Sequence, residues 1–396
     1  MTTHQVTTHE TGAGSGGGTP TDLPAMDVTG RLARLRRCLS DAGADALLVT
    51  TLRNLRYLTG FTGSAGLLLV TADETLLATD GRYRTQAAEQ LQAAGLAESV
   101  SLAIGGAQLQ RDAIVALATD PRTRTTGTTG SRLGLEAENI TWAAQRRWSD
   151  VLADTELVPL AGVVETLRQV KDAGELARMA RAAAIADAAL AEVLGLLADG
   201  RTEQQVALAL DTAMRRLGSE DRAFETIVAS GPNAAKPHAR PSDRPIETGD
   251  PVVIDFGATF DGYRSDMTRT FCVGGEPSPE LARLFTVVAE AQAAGVAAVA
   301  AGVVTGDIDK ACRDHIAASG YASAFEHGTG HGVGLDIHEA PAVGQGSTAI
   351  LTPGVVVTVE PGIYLAGLGG VRIEDTVVVT DQGCHPLTGF PKDIAA

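Results

Sequence analysis

Apolar residues recur along this chain with two periods, and the changes between them mark out its elements. Arg31 to Ala42 carries apolar residues at helical spacing and predicts an amphipathic helix. Ala46 to Thr50 is a short apolar run, the mark of a buried strand. Gly66–Thr71 and Thr75–Thr79 predict two strands joined by a turn around Asp73, and Tyr83–Ala94 a further helix. Mixed patterning continues to about Gly162. Val163–Lys171 reads as a linking segment, and Gly174–Leu197 as a long Ala-rich helix. From there the pattern repeats. A shorter helix within Gly200–Gly218, led by Thr202 with Glu203 and Gln204 in its first turn, follows that long one. Another within Gly302–Gly320 follows a second long helix over Pro279–Ala301. Each pair runs into a strand-rich segment holding acidic residues. Two helices and then strands, twice over, predict an internal duplication carried by spacing rather than identity.

Residues 1–25 are rich in Thr, Gly and Ser and are expected to be a disordered tail. The Gly16–Gly18 run has no strand before it and no Lys-Ser/Thr after it, which excludes a phosphate loop. The fold class expected is α+β, with a first αβ domain over residues 26–162 and a second over 163–396. Charge narrows the partners. With 48 acidic and 32 basic residues the formal net charge is -16, which argues against a general nucleic-acid binder and against adhesion to an anionic membrane. Cys38, Cys272, Cys312 and Cys384 form no CxxC pair, so neither a zinc knuckle nor a redox pair is indicated. No leader of basic residues followed by an apolar run is visible, and Ala291–Val304 is too short to span a bilayer. A cytoplasmic protein with reduced thiols is the expectation.

Three segments carry the chemistry. In Val252–Phe271, two strand-like runs flank Asp261-Gly262, a strong hairpin signal. A two-residue turn there sets Phe260 opposite Tyr263 and Asp255 opposite Thr268. Asp266 then becomes the diagonal neighbour of Asp255 on the same face, about 7–8 Å away, near enough for both to hold one ion. Asp255 sits in an apolar run, and a buried carboxylate must be paired or bound to metal. In His327–Glu339, three of the chain's eight histidines (His327, His331, His338) fall within twelve residues, and alternating glycines exclude a stable helix. In the third segment Glu360 ends an apolar strand at Pro361-Gly362, while Arg372 and Glu374 share a face by the period of two beside the apolar run Val377–Val379. Four carboxylates with imidazole and no thiolate suit two hard or borderline divalent ions, with Mn²⁺ first and Co²⁺, Fe²⁺ or Zn²⁺ as alternatives. Two such ions would activate a water and polarise the carbonyl it attacks, so amide hydrolysis is the reaction indicated.

With these motifs in place the chain resembles the pita-bread metallopeptidases that include aminopeptidase P and prolidase, from about Val28 to Pro391. Tyr57–Gly66 and Thr79–Ala87 resemble stretches of their creatinase-like N-terminal domain, and the duplicated half resembles their catalytic domain. The resemblance implies that Asp255, Asp266, His331, Glu360 and Glu374 ligate two metal ions, with Asp266 and Glu374 bridging. It implies that His238, in Ser230–His238, and His338 hold the substrate carbonyl, that His327 supports them, and that Arg372 fixes a carboxylate. A metal-bridging hydroxide would be the nucleophile and Glu360 the proton carrier to the leaving nitrogen. The implied substrate is an Xaa-Pro peptide, dipeptide or longer, and the implied assembly a homodimer. Competing readings on the same fold are a metal-free creatinase-like hydrolase and a non-catalytic peptide-binding module. Both branches lose the ligand set that is intact here. Methionine aminopeptidases are further relatives, disfavoured by the added first domain and by Asp336-Ile-His338-Glu339.

Overall fold

The computed structural model describes residues 23–123 and 131–395, so the expected tail lies outside the described residues except for its last three. The first unit is built on a six-stranded sheet. Its strands are β1 (Ala46–Val49), β2 (Leu67–Thr71), β3 (Thr75–Thr79), β4 (Ser101–Ile104), β5 (Ser131–Glu136) and β6 (Thr155–Leu160), in the order β4-β3-β2-β1-β5-β6. Its helices are α1 (Thr29–Asp41), α2 (Leu52–Thr59), α3 (Arg84–Ala93), α4 (Ala107–Ala118) and α5 (Trp142–Val151). The central strands β1 and β2 are apolar along nearly their whole length because helices cover both faces. Leu47, Val49, Leu68 and Val70 point to one core, and Ala46, Leu48 and Leu69 to the other.

The segment expected to be a link is a helix, α6 (Val163–Gln169). Seven residues make too short a window for periodicity to declare itself. It leads into α7 (Ala173–Val193), which starts at a capping box: Asp172 accepts from the Glu175 amide and Glu175 returns the bond. The shorter α8 (Glu203–Arg216) opens on a second capping box, Thr202 with Gln205. Strands β7 (Ile227–Ser230), β8 (Pro251–Phe256), β9 (Thr259–Phe260), β10 (Tyr263–Arg264) and β11 (Met267–Cys272) follow. The pattern then recurs with α9 (Pro279–Ala298) and α10 (Thr305–Ala318). These run into β12 (Gly330–Gly332), β13 (Glu339–Val343), β14 (Val356–Val359), β15 (Gly362–Leu365), β16 (Gly369–Arg372), β17 (Asp375–Thr380) and β18 (Gly383–Pro386). One sheet runs β11-β8-β7 and another β13-β12-β14-β17-β18, with β10-β9 and β15-β16 as two-stranded ribbons. Helix α9 is long and apolar enough to cross a membrane by length and composition, but Leu281, Leu284, Val288 and Ala291 bury its inner stripe in the second half's core.

The two units share one core. Leu32, Leu35 and Tyr57 of the first pack in the same cluster as Met179, Tyr263, Val333 and Leu335 of the second. The hairpin between β8 and β11 has the register that the Asp-Gly turn dictates: Tyr263 opposite Phe260 and Thr268 opposite Asp255. Asp261 and Gly262 have φ of 45° and 73°, the double positive φ of a type I′ turn. Asp261 is held in that conformation by Arg56 of the first unit at 2.6 Å and by Arg178 at 2.5 Å.

Candidate metal centre

All nine residues singled out in the sequence converge. His238, Asp255, Asp266, His327, His331, His338, Glu360, Arg372 and Glu374 line a single cavity of about 260 Å³. Asp255 comes from β8 and Asp266 from the residue before β11. Glu374 lies between β16 and β17, and each of these three offers an oxygen within 4.8 Å of the others. His331 sits on β12, with Nε2 3.6 Å from Asp266 and 3.3 Å from Glu360, which stands at the end of β14. A Cβ at Gly330 would meet the backbone of Thr358, so glycine there lets β12 close on β14 and bring His331 up to Glu360.

The donors around these carboxylates orient them. Arg372, almost fully buried, donates from Nη2 to Asp255 at 2.7 Å, from Nε to Thr268 at 3.1 Å and from Nη1 to Tyr364 at 2.8 Å. Thr268 donates to Glu374 Oε2 at 2.7 Å. The other oxygens, Asp255 Oδ1 and Glu374 Oε1, are buried without a hydrogen-bond partner. Two orphaned carboxylate oxygens in one buried cluster are costly unless a cation takes them. The donor set, hard oxygen with one imidazole, suits divalent metal ions. His331 Nδ1 lies 3.0 Å from the Gly332 carbonyl. Donation there aims Nε2 at Asp266 and Glu360, and a metal would take the place of the proton that Nε2 shares with Glu360.

The same crowding sets the titration behaviour. Burial, then Glu374 and Asp255, push Asp266 well above the usual carboxylate range. Burial, then Glu360 and Asp255, do the same to Glu374. Burial raises Asp255 although Arg372 opposes it. Burial also acts to raise Glu360, but the His331 hydrogen bond and charge outweigh it and leave Glu360 low. Desolvation within the cavity lowers both His327 and His338. Such opposed shifts in one cavity mark groups arranged for chemistry or for metal.

Pattern reading missed Tyr364. Its hydroxyl accepts from Arg372 and lies 2.9 Å from His327 Nε2, and burial pushes it up to about 12. His327 Nδ1 faces the Gly328 carbonyl at 2.7 Å, so Nε2 accepts from the tyrosine. A tyrosine in a strand gives no sequence signal; its spacing of eight residues from Arg372 across the short β15–β16 hairpin could have given one.

A creatinase-type sheet domain ahead of a duplicated helix-and-strand unit, with acids and imidazoles gathered between its halves, defines the class of pita-bread metallopeptidases. Residues 177–381 match the profile described as Metallopeptidase family M24, and residues 31–170 that of the Creatinase/Prolidase N-terminal domain. The chain belongs to metallopeptidase family M24, in its aminopeptidase P and prolidase branch. It is 42% identical over 365 residues to an uncharacterized peptidase of Bacillus subtilis, covering 92% of this chain and 99% of the relative. It is 38% identical over 262 residues to an Xaa-Pro dipeptidase of Pyrococcus furiosus, 66% of this chain and 75% of that one. An Xaa-Pro dipeptidase structure from Bacillus anthracis superposes with a TM-score of 0.86 at 39% identity, over 93% of this chain and 99% of that chain. The X-Pro aminopeptidase structure from Thermotoga maritima gives 0.81 at 36%, over 91% and 99%.

Proposed function

We propose that this chain is a two-metal exopeptidase that hydrolyses the bond on the amino side of proline. The observation that carries the reading is the cluster of Asp255, Asp266 and Glu374, two of them with orphaned buried oxygens, beside the His331–Glu360 pair. These five residues would hold the ions. When bound, the ions would supply a water of near-neutral pKa and a Lewis acid for the scissile carbonyl. Relatives named Xaa-Pro dipeptidase and X-Pro aminopeptidase support proline as the residue after the cut.

The chain's own residues divide the remaining work. His238 and His338, both lining the cavity, donate to the carbonyl oxygen as negative charge gathers there. Prolyl nitrogen is a poor leaving group until protonated, and Glu360 carries the proton to it. Arg372 fixes Asp255 and, through Tyr364, the ring of His327.

Room beyond the proline favours peptides longer than two residues. The cavity shares Phe224, Ile227 and His238 with an open cleft of about 720 Å³, rimmed by Leu208, Arg222 and Arg240. Among the described residues the one guanidinium lining the inner cavity, Arg372, is already taken by Asp255 and Tyr364, so a dipeptide's terminal carboxylate finds no free arginine among them. The test is hydrolysis of an Xaa-Pro dipeptide and an Xaa-Pro-Xaa tripeptide, with Mn²⁺ and with chelator. Chelator-sensitive cleavage, faster on the tripeptide, is expected. Cleavage of the dipeptide alone would overturn the longer-peptide assignment, and cleavage of neither by metal-loaded protein would overturn the reaction.

A further inference from the structure

His338 lines the cavity in a bend between Gly334 and Glu339, before β13 begins, with its ring edge-on to His331 at 4.4 Å. An exposed imidazole on such a bend aims where its backbone aims. That backbone is held by charges that arrive from other elements. Arg168, at the last turn of α6, donates from Nη2 to Asp336 at 2.7 Å and also to Glu339. Lys171 Nζ lies 3.3 Å from the second oxygen of Glu339. Arg53 of α2 reaches the other oxygen of Asp336 at 2.5 Å. Glu339 Oε1 accepts the Asp336 amide at 3.0 Å and closes the bend on itself.

Behind this clamp stands Asn54 of α2, fully buried. Its carbonyl accepts from Arg168 Nη1 at 2.7 Å, while its amide group donates to Glu136 and to Glu165, each at 2.7 Å. The side chains of Arg168, Lys171 and Glu339 are 3%, 1% and 7% exposed. Taking three charges out of water is a poor way to gain stability, since apolar packing does as well or better. What the charges do accomplish is orientation. They grip Asp336 and Glu339, the residues two before and one after His338, and they tie both to the first unit's sheet through Glu136 of β5.

We propose that Arg168, braced by Asn54, is a positioning residue for His338, so that the first unit sets the aim of a histidine in the second. The inference rests on the reading of His338 as a group that contacts the substrate carbonyl. Its test is a double-mutant cycle on the metal-loaded full chain: Arg168→Ala, His338→Ala and the double variant, assayed on an Xaa-Pro-Xaa peptide with bound metal quantified. Arg168→Ala is expected to lower kcat about tenfold or more with KM moved less than about threefold and metal content intact. In the His338→Ala background the same change should alter kcat/KM less than about threefold, because the residue acts through one already gone. Equal losses in both backgrounds, or full activity in Arg168→Ala, would overturn the proposal.

Should Arg168→Ala fail to fold, Arg168→Lys keeps the charge but not the two-pronged grip and runs the same cycle. A second readout needs no turnover. The ring resonances of His338 in metal-free protein, assigned by their loss in His338→Ala, should shift in the Arg168 variant while those of His238 stay. Unmoved His338 resonances would again overturn it. A fully active His338→Ala would instead remove the functional reading beneath.

Discussion

Tyr364 joins residues that the sequence marks clearly, though as a strand tyrosine its residue type does not mark it. Its hydroxyl spans Arg372 and His327, so Tyr364→Phe should lower kcat/KM about tenfold, the worth of one buried hydrogen bond to a charged group, with bound metal unchanged. Loss of metal from that variant would instead place Tyr364 with the ligand-holding residues. Asp255→Ala and Glu374→Ala should lose metal and activity together; full activity in either would sink the site assignment. Asp255 was legible because an acid inside an apolar run must be compensated, and the histidines because three of them fall among alternating glycines. Tyr364 and Thr268 were not, because a tyrosine and a threonine in strands are what strands ordinarily contain. Their part depends on which strands meet, and sequence spacing alone does not say that.

At the level of elements, the hairpin was the most readable piece. The parity of a two-residue turn dictated that Asp255 and Asp266 share a face, and the register agrees. The helical form of the linking segment, α6, was not legible because seven residues carry too little pattern, and its clamp on the 334–339 bend was invisible for the same reason. Two predictions belong here. Gly262→Ala forces an L-residue to φ 73° and drives a Cβ into the Arg56 guanidinium. The backbone term alone costs about 1–2 kcal/mol, so the urea midpoint should fall; an unchanged midpoint would contradict the turn assignment. The second concerns Glu339. Burial acts to raise its pKa, but Lys171 and Arg168 outweigh that and hold it below the usual value of 4.5. A depressed acid contributes stability above its unfolded value and loses it as pH falls through the folded one. Glu339→Gln should therefore be less stable than the parent at pH 7, with the gap closing as pH falls below 4.5, as read by urea unfolding across that range. A gap that widens toward acid would refute the sign.

For the whole molecule, the shared core makes the units interdependent. A fragment starting at Val163 would expose Met179, Tyr263, Val333 and Leu335, which pack beside Leu32, Leu35 and Tyr57, so it should aggregate or bind a hydrophobic dye. Metal is the other whole-molecule lever. Chelation should abolish hydrolysis and lower the melting temperature, since an ion held by the folded state alone stabilises it and is then removed. Mn²⁺ returned at a hundredfold excess over its Kd should restore about 2.7 kcal/mol. A melting temperature indifferent to chelator would speak against metal at this cluster.

The pairing of Asp261 with Arg56 bears on how the enzyme is made. Synthesis runs from the N-terminus, and domains emerging first fold first. Arg56 is therefore made before Asp261 has been added to the growing chain, and the turn that presents the first two acids meets a docking residue synthesised ahead of it. Half-made enzyme then has neither an assembled pair of aspartates nor Glu374 to complete them. Metal capture is deferred until the newborn chain has built the wall against which its own site is formed.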